Sequence, residues 1–303
     1  MKTSTSKRLR WNVAIWLAAG LFMTSTAGMA SGPIMPDPKA EARHQPQVEE
    51  TANGIPLVNI TAPSSGGVSR NEYETFNVPD KGAILNNSYT LSKTELAGYV
   101  QGNNNMAERP AKIIVNEVTG AGSTSMDGFL EVAGNRADVV IANPNGITVN
   151  GGGFINTGKA FLTTGKPVYD GEDHLQRFDI TGGDILIEGK GLGGKETGSL
   201  AILSRAVKIN AGIWAKDLHI TTGANTVDAK TLEASAIEGK GGRPAFALDT
   251  AAIGGMYAGR ITLVGTEKGL GVNNSGTWSA EDNLTLDWNG DLKNSGTIYS
   301  KGN

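Results

Sequence analysis

Cysteine is absent from the 303 residues. No disulfide staples the fold and no thiolate serves as nucleophile or metal ligand, so stability must come from packing and backbone hydrogen bonds. Aromatic residues make up only 6% of the chain, whereas 42 positions are glycine. That balance argues against a compact helical protein and favours many short strands joined by tight turns. Histidine occurs at three scattered places, His44, His174 and His219, with no metal-ligand spacing between them. The net charge of −3 offers no basic footprint for nucleic acid. Long apolar runs are missing too: Trp11–Met23 is too short to span a bilayer comfortably.

That run belongs to a different signal. Lys2, Lys7, Arg8 and Arg10 precede it, and the small-residue stretch Ala27-Gly28-Met29-Ala30 follows. A basic segment, a short apolar segment and small residues before the cut define a secretory signal peptide. Residues 1–30 are therefore expected to be removed, with cleavage between Ala30 and Ser31. The cut takes away four basic residues and no acidic one, which moves the net charge from −3 to −7.

Residues 31–52 are rich in Pro, Glu and Gln, lack apolar periodicity and read as a flexible leader. From Gly54 onward short apolar runs recur, among them Ile113–Val118, Val139–Ile141, Ile185–Ile187, Val207–Ile209 and Ile261–Val264. Clusters of Gly, Asn, Asp, Ser and Thr separate them. Only Leu91–Val100 reads as a plausible helical turn, and it reads equally as a strand entry. The chain is all-β. Near its end Asn274-Ser275-Gly276-Thr277 recurs as Asn294-Ser295-Gly296-Thr297, with Trp278 aligned on Ile298. A period of about 20 residues with Gly/Asn corners is a solenoid signature, in which each coil leaves an apolar face for the next to bury. Asparagines at equivalent corners are then expected to stack as ladders.

Motifs for chemistry are weak. Gly189–Lys195 (GKGLGGK) has phosphate-loop spacing, but Glu196 stands where a Ser or Thr should hold magnesium. Asp170, Glu172 and Asp173 form the densest carboxylate group and read as a solvated loop. No Gly-x-Ser-x-Gly elbow is present. Neither a catalytic residue, a metal site nor a cofactor is expected, and the chain is read as non-enzymatic.

The most informative stretch is Glu117–Thr157, centred on Asn143-Pro144-Asn145-Gly146-Ile147 between two short apolar strands. Proline pre-sets φ, asparagine tolerates the left-handed region and glycine takes positive φ freely, so the local reading is a tight turn. As a whole the stretch closely resembles the signature of the two-partner secretion domain. Further blocks resemble the family in order and spacing: Gly54–Pro79, Gly82–Ser88, Ala111–Val118, Leu200–Asn225 and Ala245–Gly276. In the branch resembling filamentous haemagglutinin two motifs are usual, NPNL and then NPNGI. Here the second is intact, whereas the first is replaced by Asn103-Asn104-Asn105-Met106. Asparagine still occupies a turn and methionine still fills an apolar slot.

The resemblance implies a right-handed parallel β-helix with N-terminal capping strands and extra-helical β elements. It divides the chain into a signal peptide (1–30), a leader (31–52), the secretion domain (53–270) and the start of haemagglutinin-type repeats (271–303). It also implies export without catalysis. The general export machinery delivers the chain to the periplasm, a POTRA-containing outer-membrane transporter recognises it, and the domain folds at the cell surface. The absence of cysteine suits such a passage. Two roles stand open for Asn103–Met106 and Asn143–Ile147: shaping coil corners, or touching the transporter. The expected parent is a large haemagglutinin-like adhesin of a Gram-negative bacterium, meeting surface receptors through downstream regions. The alternatives are a contact-dependent growth-inhibition toxin or a haemolysin, and more remotely a β-helical carbohydrate-active enzyme.

Overall fold

The computed structural model describes residues 32–106 and 109–302; the expected signal peptide and its expected cleavage between Ala30 and Ser31 lie outside them. The chain winds into a three-faced coil whose strands pair in parallel, each with its equivalent one turn earlier and later. Face one runs through Pro56–Asn59, Ala83–Asn87, Phe129–Gly134, Gly152–Ile155 and Leu192–Gly194. It continues through the first halves of the long strands Gly212–Thr222 and Gly255–Gly265, then Thr277–Ala280 and Thr297–Ser300. Face two holds Val68–Phe76, Ile113–Val118, Ala137–Ala142, Thr157–Thr163 and Ser199–Ser204, the second halves of the two long strands, and Leu284–Trp288. Face three is the seven-stranded sheet from Thr124–Met126 to Leu292–Asn294. This is a parallel β-helix.

Register explains the core. Side chains alternate inward and outward along a strand, so in-register coils stack apolar residues into columns. Ile114, Val139, Ala160, Leu200, Leu218 and Ile261 form one such column inside face two, and all are buried. The only helical segments among the described residues are the 3-10 turns Ala42–His44 and Asn104–Met106.

The four-residue repeat is visible rung by rung. Asn274 Nδ2 donates to Asn294 Oδ1 at 2.8 Å, and Ser295 Oγ donates to Ser275 Oγ at 3.1 Å. Thr277 pairs with Thr297, and Trp278 with Ile298. The glycines are required by close approach: a Cβ on Gly276 would lie 2.2 Å from the Gly254 carbonyl oxygen, and one on Gly296 would lie 2.1 Å from that of Gly276. Trp278 fills the interior, its indole N–H donating to Thr250 Oγ1 at 3.0 Å.

Three elements lie outside the coil. The segment expected to be a flexible leader carries the strands Ile34–Pro36 and Gln47–Glu50. Ile34–Pro36 pairs antiparallel with Val68–Phe76, and Gln47–Glu50 with Pro56–Asn59, capping the first coil. Its prolines do not prevent this, because Ile34 and Pro46 are buried and the Pro33 carbonyl accepts from the Asn77 N–H at 2.9 Å. Within Leu91–Val100, the strands Ser92–Thr94 and Gly98–Val100 form an antiparallel hairpin rather than a helical turn. It packs Leu96 and Val100 on the outer side of face one, and the Glu131 carboxylate accepts from the Glu95 and Leu96 N–H groups at 2.7 and 2.9 Å. Finally, Lys166–Tyr169, Leu175–Ile180, Asn225–Asp228 and Ala234–Ala236 make an antiparallel sheet. It buries Phe178, Ile180 and Val227 against the outward residues Val115, Val140, Phe161 and Ala201 of face two.

Candidate functional site

Asn143–Ile147 forms the corner between faces two and three in one coil. Asn143 is fully buried. Its Nδ2 donates to the Gly122 carbonyl at 2.9 Å and to Thr124 Oγ1 at 3.0 Å, in the preceding coil. Its Oδ1 accepts from the Asn145 N–H at 2.9 Å, closing an Asx turn. The Gly146 N–H donates to the Asn143 carbonyl at 3.1 Å. Asn145 Nδ2 donates to the Gly120 carbonyl at 2.8 Å. Gly146 sits at φ +110°, where a Cβ would be strained. Ile147 drops into the core, while Pro144 stays exposed.

Asn103–Met106 repeats this pattern at a different corner. Asn103 is buried, and its Nδ2 donates to the Ile60 and Asn86 carbonyls at 2.8 and 3.0 Å. Its Oδ1 accepts from the Asn105 N–H at 3.0 Å. The Met106 N–H donates to the Asn103 carbonyl at 3.1 Å. Asn105 Nδ2 reinforces the cap on Ile60 at 3.2 Å, as Asn145 Nδ2 does on Gly122 at 3.4 Å. Met106 enters the core, and Asn104 is exposed where the other turn has Pro144. The first and third asparagines do the bonding in both turns. The second position is free to vary, which is why Asn104 can replace proline without altering the corner.

A charged cluster that no local sequence pattern marks lies on the outer side of face two. Arg70 and Glu72 on Val68–Phe76 and Glu117 on Ile113–Val118 face outward beneath Tyr169 and the 3-10 turn carrying His44. Arg70 lies 2.8 Å from Glu72 and 3.6 Å from Glu117, and its guanidinium sits 4.5 Å from the Tyr169 ring centroid. His44 Nδ1 is 2.9 Å from Glu72, within ion-pair distance but without hydrogen-bond alignment. Burial pushes the Glu117 carboxyl up to about 7, with Arg70 opposing. Burial, with help from Arg70, holds His44 below the usual imidazole value. The alternation of polar residues there reads as a solvated strand face. Only the distant hairpin at Lys166–Ile180 and the N-terminal segment bury it.

The remaining candidates fall into structural roles. Gly189–Lys195 is a coil corner leading into the strand Leu192–Gly194, with no helix to receive a phosphate. Asp170 accepts the Glu172 and His174 N–H groups, each at 2.9 Å, closing the hairpin turn, and Asp173 pairs with Arg43. His44 is buried, not in a mobile leader. His219 is part-buried, and burial brings its imidazole down to about 4. Among the described residues no group of three His, Asp or Glu side chains could hold a metal ion.

The family model described as the TPS secretion domain matches residues 33–298. This chain belongs to that family. A solved filamentous hemagglutinin secretion domain superposes with a TM-score of 0.75 at 31% identity, covering 89% of this chain and 95% of that one. Toxin CdiA of Yersinia pestis is 43% identical over 297 residues, 90% of this chain. The 16S rRNA endonuclease CdiA of Enterobacter cloacae is 46% identical over 249 residues, 81% of this chain. The chain spans only 9% and 8% of those two relatives' lengths. The matched region starts at 33, in step with the ordered N-terminal cap.

Proposed function

We propose that this chain is the secretion domain of a contact-dependent growth-inhibition toxin, in preference to the haemagglutinin-like adhesin expected from the NPNGI motif. The observation that carries the choice is identity: 43–46% to the two CdiA proteins against 31% to the hemagglutinin domain. Residues 1–30 direct the chain to the general export machinery, and cleavage after Ala30 releases it into the periplasm. The POTRA domains of an outer-membrane partner bind the extended chain by β-augmentation, in which backbone bonds give affinity and alternate side chains give selectivity.

Emergence at the cell surface lets coils form in order. Each new rung buries apolar columns and completes the asparagine caps on the rung before it. Because Asn143 and Asn103 are buried in the folded domain, their side chains are accessible to a transporter only before folding. Their bonding supports the corner-shaping role. The proposal assigns no catalysis to this segment.

The test is a domain exchange. Residues 1–303 replace the corresponding region of a contact-dependent toxin, and donor cells carrying that toxin's own transporter compete with susceptible cells. The expected outcome is surface display of the chimera and inhibition of the targets. A chimera retained in the periplasm, yet exported by a haemagglutinin transporter, would restore the adhesin reading.

A further inference from the structure

Glycine follows asparagine at four places in the chain: Asn53-Gly54, Asn145-Gly146, Asn150-Gly151 and Asn289-Gly290. Asparagine is a chemically labile side chain. It is most labile before glycine, where no side chain shields the next backbone nitrogen from the asparagine Cγ. The fold holds the first three pairs. Asn53 Nδ2 donates to the Leu96 carbonyl at 2.9 Å, and the Gly54 N–H donates to the Thr51 carbonyl at 2.9 Å. Asn145 Nδ2 donates to the Gly120 carbonyl, and the Gly146 N–H to that of Asn143. Asn150 Oδ1 accepts from the Lys190 N–H at 3.1 Å, and the Gly151 N–H donates to the Gly191 carbonyl at 2.9 Å. In each pair the side-chain amide and the following N–H are both occupied, and the glycine sits in the left-handed region.

Asn289-Gly290 differs. It forms the corner between Leu284–Trp288 on face two and Leu292–Asn294 on face three. The Asn289 side chain makes no hydrogen bond, the Gly290 N–H donates to no acceptor, and Gly290 lies outside the left-handed region. Exposure does not make the difference, because Asn53 and Asn145 are exposed as well. The glycine is obligatory: a Cβ on it would lie 2.4 Å from the Leu270 carbonyl oxygen. One bond steadies the peptide unit, from the Gly269 N–H to the Asn289 carbonyl at 2.6 Å. A single bond at an exposed corner opens easily.

We propose that Asn289 is a self-modification site, at which ring closure onto Gly290 converts the amide to aspartate and isoaspartate. The Gly290 nitrogen gives its proton to solvent base and bonds to Asn289 Cγ, while the side-chain nitrogen leaves as ammonia. Water then opens the cyclic imide. Breaking the new N–Cγ bond leaves aspartate. Breaking the original bond to the main-chain carbonyl carbon leaves isoaspartate, with the chain routed through Cγ. The sum is amide plus water to carboxylic acid plus ammonia, and the acid ionises to add negative charge. Isoaspartate also lengthens the main chain by a methylene at a corner pinned on both sides. Trp288 Nε1 donates to the Leu270 carbonyl at 2.7 Å, and the Val272 N–H donates to the Asp291 carbonyl at 2.8 Å. The added carbon breaks that fit and releases Leu292–Asn294 from Val272–Asn274.

The test incubates the purified chain at mildly alkaline pH, folded or in guanidinium chloride, and follows all four pairs by peptide mapping and mass spectrometry. The denatured sample supplies each pair's intrinsic rate. The folded-to-denatured rate ratio at Asn289 should exceed that at Asn53, Asn145 and Asn150 by at least tenfold, with isoaspartate among the products. Asn289→Gln, which must close a larger ring, should leave position 289 unconverted over the same time. In the isoaspartate form the Val272 amide hydrogen should exchange at least tenfold faster than in fresh protein. Equal ratios at the four pairs would overturn the proposal, as would conversion at Asn289 without isoaspartate. Unchanged Val272 exchange in the isoaspartate form would overturn the release of Leu292–Asn294.

Discussion

Replacing Asn143 by alanine separates the two roles open to the NPNGI corner. The buried side chain makes four hydrogen bonds. Two run from Nδ2 to Gly122 and Thr124, and two reach Oδ1 from the backbone and side chain of Asn145. At a net worth of roughly 1 kcal/mol each, their loss costs about 4 kcal/mol. The neighbouring Pro144→Ala change touches an exposed ring whose contribution is its preset φ, about 0.4–1 kcal/mol. Urea unfolding of the purified domain measures both changes, and the transporter-dependent fraction in culture supernatant measures export. The corner-shaping account predicts that Asn143→Ala loses stability and export together, while Pro144→Ala keeps nearly all of both. Wild-type stability in Asn143→Ala with export abolished would refute the reasoning and make the motif a transporter contact. So would a stable Pro144→Ala variant that is not exported.

Three further outcomes follow from the geometry. Asn104→Pro places at the Asn103 corner the residue that its twin already carries, and should raise stability by about 0.4–1 kcal/mol in thermal unfolding; a loss of more than that would show the two corners to be unlike. Gly276→Ala drives a Cβ into the carbonyls of Gly254 and Ala251 and should destabilise by about 1–3 kcal/mol, as overpacking does, so an unaffected unfolding curve would contradict the rung-to-rung contact. Glu117, faced by Arg70, Glu72 and Lys166, binds its proton more tightly folded than unfolded. Its ionisation therefore erodes stability as pH rises from the unfolded value near 4.5 to about 7, by up to roughly 3 kcal/mol. Glu117→Gln should gain on wild type across that window and hold a constant advantage above it; a difference independent of pH between 5 and 8 would exclude the effect.

Local periodicity made the solenoid legible, because the 20-residue offset names residues that meet on adjacent rungs. Asn274 on Asn294 and Trp278 on Ile298 are direct consequences. The NPNGI turn was legible for the same reason: its chemistry is contained within five residues and the carbonyls beside it. What stayed hidden depends on partners far along the chain. Ile34–Pro36 looks like a proline-rich leader until Val68–Phe76 offers it an antiparallel edge. Leu175–Ile180 gives no hint that Asn225–Asp228 will pair with it. Arg70, Glu72 and Glu117 alternate as solvated residues do, and only the N-terminal segment with His44 and the hairpin carrying Tyr169 make them a buried cluster. The equivalence of Asn103–Met106 with Asn143–Gly146 lay between these cases. The asparagine spacing is local, but the shared carbonyl caps arise only when the coils stack.

The most direct test of the account is export of residues 1–303 in cells carrying a contact-dependent toxin's transporter, a filamentous haemagglutinin transporter, or neither, with supernatant and periplasm assayed for the mature chain. The account predicts efficient release with the toxin-type transporter, weaker release with the haemagglutinin type, and periplasmic retention with neither. Equal release in all three strains would contradict it.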